Sequence, residues 1–133
     1  MIASDADGVH LGQDDLPIQT ARKLIQRNDK FIGVSTHNVE QAAQAEKAGA
    51  DYIGFGPIFT TPTKPTYNPI GLNLIKAVKQ KIKIPFVCIG GIDHSNVESV
   101  IRAGAERIAA VRAIFNQPNP ELAARQLKQR ITT

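Results

Sequence analysis

The run AGADYIGFGPIFTTPTK, Ala48 to Lys64, decides the fold. Its centre, Asp51 to Phe55, is short, continuous, apolar and bounded by breakers, the signature of a buried strand. Gly56 and Pro57 stop that strand. Thr60, Thr61 and Thr63 then offer hydroxyl and backbone donors, and Lys64 adds a point charge, a mixture suited to a phosphate ester. Taken alone, the Thr/Pro segment reads more readily as a stiffened surface loop. What precedes it settles the architecture: Ala48 and Gly49 end a helix, so helix, tight turn, acidic residue and strand follow in order.

The same order recurs in SDADGVHLG at Ser4 to Gly12 and AGAERIA at Ala103 to Ala109. Five apolar runs emerge: Gly8 to Leu11, Phe31 to Val34, Asp51 to Phe55, Pro85 to Ile89 and Ile108 to Val111. Amphipathic segments separate them. Pro17 opens the first helix, and Asn38 with Gln41 forms a capping box for Val39 to Ala48. Leu72, Ile75 and Val78 make a stripe ending near Lys81. Ser95 with Glu98 makes a second capping box before a helix closing at Gly104, and Asn119 with Pro120 opens the last helix. Strands alternating with helices predict an α/β fold with parallel pairing and right-handed crossovers.

The 133 residues amount to one domain, and no linker interrupts them. Hydrophobic residues at 42% and charged residues at 21% exclude a disordered or fibrous chain. No apolar run approaches the roughly 20 residues of a membrane span, and MIASDADG is unlike a secretory signal, so a cytoplasmic protein is expected. The lone Cys88 lies inside an apolar run and reads as a buried small residue in a reducing compartment. A net charge of +4 raises the question of nucleic acid. Its lysines and arginines are scattered over helical segments and aromatics are only 5%, so a solvated helix surface explains the charge and no nucleic-acid partner is expected.

In a parallel α/β architecture, ligands bind at the carboxyl ends of the strands. There the sequence collects Gln13 to Asp15, Ser35 to His37, Gly56 to Lys64, Gly90 to Asp93 and Val111-Arg112. Gly90 and Gly91 can bring amides against a phosphate, with the helix capped at Ser95 behind them. Arg112 reads equally as an anion contact or a surface residue. Asp14 and Asp15 precede a helix, and spacing favours a cap over a Mg2+ ligand. His10, within GVHL, reads as a hydrogen-bonded structural histidine, while His37 at a strand end suits acid–base work and its neighbours Ser35 and Thr36 read equally as turn formers. Three distant histidines and one cysteine give no zinc spacing.

Together, DGVHLGQDDLP, GVSTHN, AGADYIGFGPIFTTPTK, PFVCIGGID and AAVRAIF resemble thiamine phosphate synthase across nearly the whole chain, the TPTK loop being the specific part. The resemblance implies a TIM barrel, of which this sequence holds about five C-terminal βα units. It implies a transferase joining hydroxymethylpyrimidine diphosphate to thiazole phosphate with release of pyrophosphate and with Mg2+ as cofactor. By the family pattern Asp15 is a Mg2+ ligand, and Ser35 and Lys64 hold the diphosphate as catalytic residues. Thr61, Pro62 and Thr63 bind the thiazole phosphate, and Gly91, Val111 and Arg112 complete that site. The family commonly has serine where Arg112 stands, so a backbone contact is implied there.

A full barrel needs about 200 residues or more. The resemblance begins at the family's fourth strand, and the family's basic diphosphate grip and second Mg2+ aspartate lie ahead of it. The expectation is therefore a C-terminal fragment, weakly active or inactive alone, whose open edges favour a homo-oligomer or pairing with an N-terminal segment. Two other readings stay open: a thiazole tautomerase using a histidine near His37, and a non-catalytic phosphate-binding half-barrel.

Overall fold

The computed structural model describes residues 1–26 and 29–131. After a single 3-10 turn at Ile2–Ser4 come β1 (Gly8–Leu11), α1 (Ile18–Ile25), β2 (Phe31–Thr36), α2 (Val39–Lys47) and β3 (Tyr52–Phe55). Then follow α3 (Asn73–Lys81), β4 (Phe86–Ile89), α4 (Val97–Arg102), β5 (Ile108–Ala109), α5 (Arg112–Phe115) and α6 (Pro120–Ile131). All five strands are parallel and lie in the order β1-β2-β3-β4-β5. A doubly wound sheet would reverse direction at a switch point. Sequential order without reversal is how TIM barrels are wound, so the structure bears out the barrel-type expectation. Among the described residues β1 and β5 each have one strand neighbour.

Alternation along the strands sorts two faces. Leu11, Ile32, Val34, Ile53, Phe55, Phe86 and Cys88 are buried toward the helices. Each long helix answers with a pair at i, i+3 or i+4: Ile18 and Ala21, Ala42 and Ala45, Ile75 and Val78, Ala123 and Leu127. The short α4 does the same with Val97 and Val100. Burial pushes the Cys88 thiol up to about 12, so this side chain is packing material, as its apolar run predicts. No helix among the described residues is long and apolar enough to cross a membrane.

Several local expectations hold. Asn38 Oδ1 accepts from the Gln41 amide at 2.8 Å, and Gln41 Oε1 reaches back to the His37 amide, one residue earlier than a strict capping box. Asn119 Oδ1 caps α6 through the Leu122 amide. Gly49 and Gly104 end their helices at positive φ, 92° and 111°.

Others are corrected. Ser95 does not cap α4: the N-cap is Asn96, and Ser95 gives both its amide and its hydroxyl to Asp93 Oδ1, at 2.8 and 2.6 Å. The acidic side chain two residues upstream outcompetes the helix end. Neither Asp14 nor Asp15 caps α1, whose N-cap is Pro17; Asp15 Oδ2 accepts instead from the Gly12 amide at 2.6 Å. β5 is shorter than its apolar run, because the chain turns at Val111 into α5, a helix too short to leave a periodic signal in the sequence. β2 is longer and includes Ser35 and Thr36; Thr36 is buried and donates its hydroxyl to the Gly54 carbonyl at 2.9 Å.

The acidic residue of the AGAD repeat is a tie at the amino end of the sheet. Asp51 Oδ2 accepts from the Ile32 amide at 2.6 Å and from Arg22 Nη2 at 2.7 Å, joining β2, β3 and α1. Asp51→Ala strands that amide, and the expected loss is about 1–2 kcal/mol of folding stability, read as a lower urea midpoint with unchanged slope. An unchanged midpoint would mean that water replaces the carboxylate there.

Candidate functional site

The carboxyl ends of β2, β3, β4 and β5 open into one cavity of about 460 Å3, within the range of small-molecule sites. Ser35 and His37 enter it from the end of β2; Thr61, Pro62, Thr63 and Lys64 from the loop after β3; Gly90 and Gly91 from the turn after β4; and Val111 and Arg112 from the turn after β5. Thus every residue expected to bind substrate lines the same space. Asp15 does not line it. The loop after β1 reaches the cavity wall through Gln13, whose Nε2 donates to the Ser35 carbonyl at 2.6 Å.

Two loops make this cavity by continuing the parallel ladder beyond the strands. The Ile58 amide donates to the Ile89 carbonyl at 2.9 Å, and the Phe59 amide to the Gly90 carbonyl at 3.0 Å. The approach is too close for side chains. A Cβ on Gly56 would stand 2.1 Å from the Ile89 carbonyl oxygen, and one on Gly90 2.4 Å from Pro57 Cβ. Gly91 has φ 65°, and its Cβ would meet the Thr60 carbonyl oxygen at 2.6 Å. The Gly-Gly pair therefore seats the threonine loop as well as offering amides. The Gly56-Pro57 peptide is cis.

Among the described lining residues Lys64 and Arg112 are the lysine and arginine, both exposed, and Asp93 is the carboxylate. The Ser95 hydroxyl, chiefly, holds Asp93 below the usual carboxylate range, so it stays charged. Thr61 Oγ1 accepts from the Thr63 amide at 3.3 Å, which folds the loop into a hydroxyl-stabilised turn. Tyr67, which no sequence pattern singled out, packs against the His37 ring with centroids 4.6 Å apart, and Lys64 Nζ lies 5.7 Å from its centroid. His37 Nδ1–H donates to the Gly56 carbonyl, which fixes the ring.

Behind the cavity, on the sheet face away from the helices, lies a second polar group. His10 Nδ1 is 3.0 Å from Tyr52 Oη, and His10 Nε2 is 2.9 Å from Ser35 Oγ. Partial burial, and then the positive charge of Lys64, hold the His10 pKa below its ordinary value, so the ring is neutral near pH 7. His10 is the hydrogen-bonded histidine expected, but its partners sit 42 and 25 residues away. Only the strand register, pairing His10 with Gly33, Gly33 with Tyr52 and Ser35 with Gly54, brings them together.

For a metal, the described residues hold no cluster of three His, Cys, Asp or Glu side chains. Mg2+ typically takes one or two carboxylates and completes its shell with phosphate oxygens and water. The exposed Asp15, anchored through one oxygen by Gly12, fits that single-carboxylate role.

Comparison with known proteins agrees with this geometry. The profile of the family described as thiamine monophosphate synthase matches residues 1–114. The thiamine-phosphate synthase of Chloroflexus aurantiacus is 52% identical over 128 residues, covering 96% of this chain and 58% of that protein. That of Halalkalibacterium halodurans is 55% identical over 114 residues, covering 85% and 54%. A solved thiamine phosphate pyrophosphorylase from Pyrococcus furiosus superposes with a TM-score of 0.87 at 36% identity, over 98% of this chain and 61% of that one. The chain thus spans a little over half the length of these two curated relatives. With its sequential parallel sheet and its shared strand-end cavity, the chain belongs to the thiamine monophosphate synthase family.

Proposed function

We propose that this chain supplies the thiazole-phosphate site and the leaving-group lysine of a thiamine-phosphate synthase reaction. The observation that carries the reading is the convergence of Ser35, Thr61, Thr63, Lys64, Gly91 and the Val111-Arg112 turn on one cavity. In that reaction the bond between the pyrimidine methylene and the diphosphate oxygen breaks, and its electron pair leaves with pyrophosphate. The thiazole nitrogen then gives its lone pair to the methylene carbon. Because the electron-rich pyrimidine favours dissociative departure, the protein has to offset charge on the leaving group and to hold the nucleophile in line.

Lys64 is suited to offsetting that charge as an exposed ammonium at the rim of the cavity, and the Ser35 hydroxyl suits a second contact with the same diphosphate. The threonine loop is suited to holding the nucleophile. Its hydroxyls and amides, with the Gly91 amide and the turn after β5, would anchor the thiazole phosphate. Arg112 contributes chiefly through its backbone, in keeping with the serine that the family commonly has at this position. Mg2+, when bound, would screen diphosphate charge, and Asp15 is the residue that would hold it. Cytoplasmic synthesis from small phosphorylated precursors, with further barrel strands supplied by an N-terminal segment or another copy, belongs to the same proposal.

The test mixes the chain with hydroxymethylpyrimidine diphosphate, thiazole phosphate and Mg2+ and follows thiamine phosphate, with and without a separately made N-terminal segment from a curated relative. Product is expected once that segment is present. In the active mixture Lys64→Ala should lower turnover about 10²–10³-fold, the scale for loss of one charge-stabilising donor. An unaltered rate would remove Lys64 from the chemistry. Asp15→Asn should raise the Mg2+ concentration needed for half-maximal rate, with little change at saturating Mg2+; an unshifted Mg2+ curve would take the metal away from Asp15. Binding of thiazole phosphate with no product under any of these conditions would favour the phosphate-binding module instead.

A further inference from the structure

Tyr52 and His10 do not belong to the substrate-contact set, yet their hydrogen-bonded line ends on Ser35, which lines the cavity. A neutral imidazole has one N–H and one lone pair, and here each ring nitrogen faces a hydroxyl. Two arrangements are open to it. With the proton on Nδ1, the ring donates to Tyr52 and Nε2 accepts a hydrogen bond from the Ser35 hydroxyl; Ser35 then shows only lone pairs to the cavity. With the proton on Nε2, the ring donates to Ser35 and accepts from Tyr52, and the Ser35 proton is released toward the cavity. The two states present opposite polarity to a phosphate oxygen, which only accepts.

Chemistry and packing favour the second state. A phenol, with pKa about 10, is a better donor and a poorer acceptor than an aliphatic hydroxyl, so Tyr52 is the natural donor and Ser35 the natural acceptor. The rings are held by recesses in β2 and β3. A Cβ on Gly33 would stand 2.1 Å from Tyr52 Cζ, and one on Gly54 3.3 Å from His10 Cε1. The Ser35 backbone is fixed as well, its carbonyl already accepting from Gln13. We infer that His10 and Tyr52 are positioning residues that lock the Nε2–H tautomer and so make Ser35 a hydrogen-bond donor to a diphosphate oxygen. This rests on the proposed synthase reading for the identity of the anion, and on the hydrogen-bond geometry with the donor strengths of the two hydroxyls for the tautomer.

The imidazole 15N spectrum of the histidine-labelled chain at about pH 7.5 reads the tautomer without any ligand. The Nε2–H pattern is expected for His10, and an Nδ1–H pattern overturns the inference. Tyr52→Phe keeps the ring over Gly33 and removes only the hydroxyl. It should abolish the tautomer preference and raise the dissociation constant for inorganic pyrophosphate, measured by calorimetry, roughly three- to tenfold. Ser35→Ala should weaken pyrophosphate binding to a similar extent while leaving the tautomer preference in place, and the double variant Tyr52→Phe/Ser35→Ala should be no weaker than Ser35→Ala alone. If Ser35→Ala weakens binding while Tyr52→Phe does not, the positioning role is wrong and the synthase reading stands. If wild-type protein binds no pyrophosphate even with Mg2+ and the separately made N-terminal segment present, the synthase reading and the anion half of this inference fall together, and the spectrum still decides the tautomer.

Discussion

The site depends on the backbone ladder that runs past the ends of β3 and β4. Two amide-to-carbonyl bonds, Ile58 to Ile89 and Phe59 to Gly90, hold the threonine loop against the Gly-Gly turn. Without them, Thr61 to Lys64 would be a polar loop with no fixed relation to Gly91. The contact exists because Gly56, Gly90 and Gly91 leave no side chain in the way. These glycines therefore serve packing before they serve ligand, and a phosphate would meet amides whose direction is already set.

The two ends of the sheet divide the work. At the amino ends, Asp51 gathers Arg22 and the Ile32 amide, and Glu46 Oε1 accepts from the Lys83 and Ile84 amides at 2.6 and 3.0 Å. These carboxylates are consumed by backbone and arginine, which is the chemistry of stability. At the carboxyl ends, hydroxyls, amides and cations face a cavity, which is the chemistry of an anion site. Such a division follows from parallel strands, since every strand delivers the same end to the same side.

The face away from the helices is polar and small where the helix-facing side is aliphatic. Gly33 and Gly54 make room there for the Tyr52 and His10 rings, and Phe31 and Ile89 are exposed on it. In barrels of this class that face is the interior, filled by side chains from alternate strands. Its histidine, tyrosine and serine are linked to one another, so the layer beneath the cavity carries orientation as well as bulk.

The five strand positions, the parallel class and the residues expected to bind substrate are legible along the chain, whereas Tyr67, which also lines the cavity, is not. Period-2 and period-3.6 patterning, helix-ending glycines at Gly49 and Gly104, and the polar strand ends are local properties, visible among neighbouring residues. Local reading failed where a distant or competing partner decided. Ser95 turned to Asp93 rather than to the helix, Asp15 turned to Gly12, and the chain after Ala109 bent into a short helix. Register alone assembled Tyr52, His10 and Ser35, and loop contact alone required Gly56 and Gly90. Side-chain identity fixes which groups are available; which of them meet is set by strand pairing across dozens of residues, and no window along the chain contains that geometry.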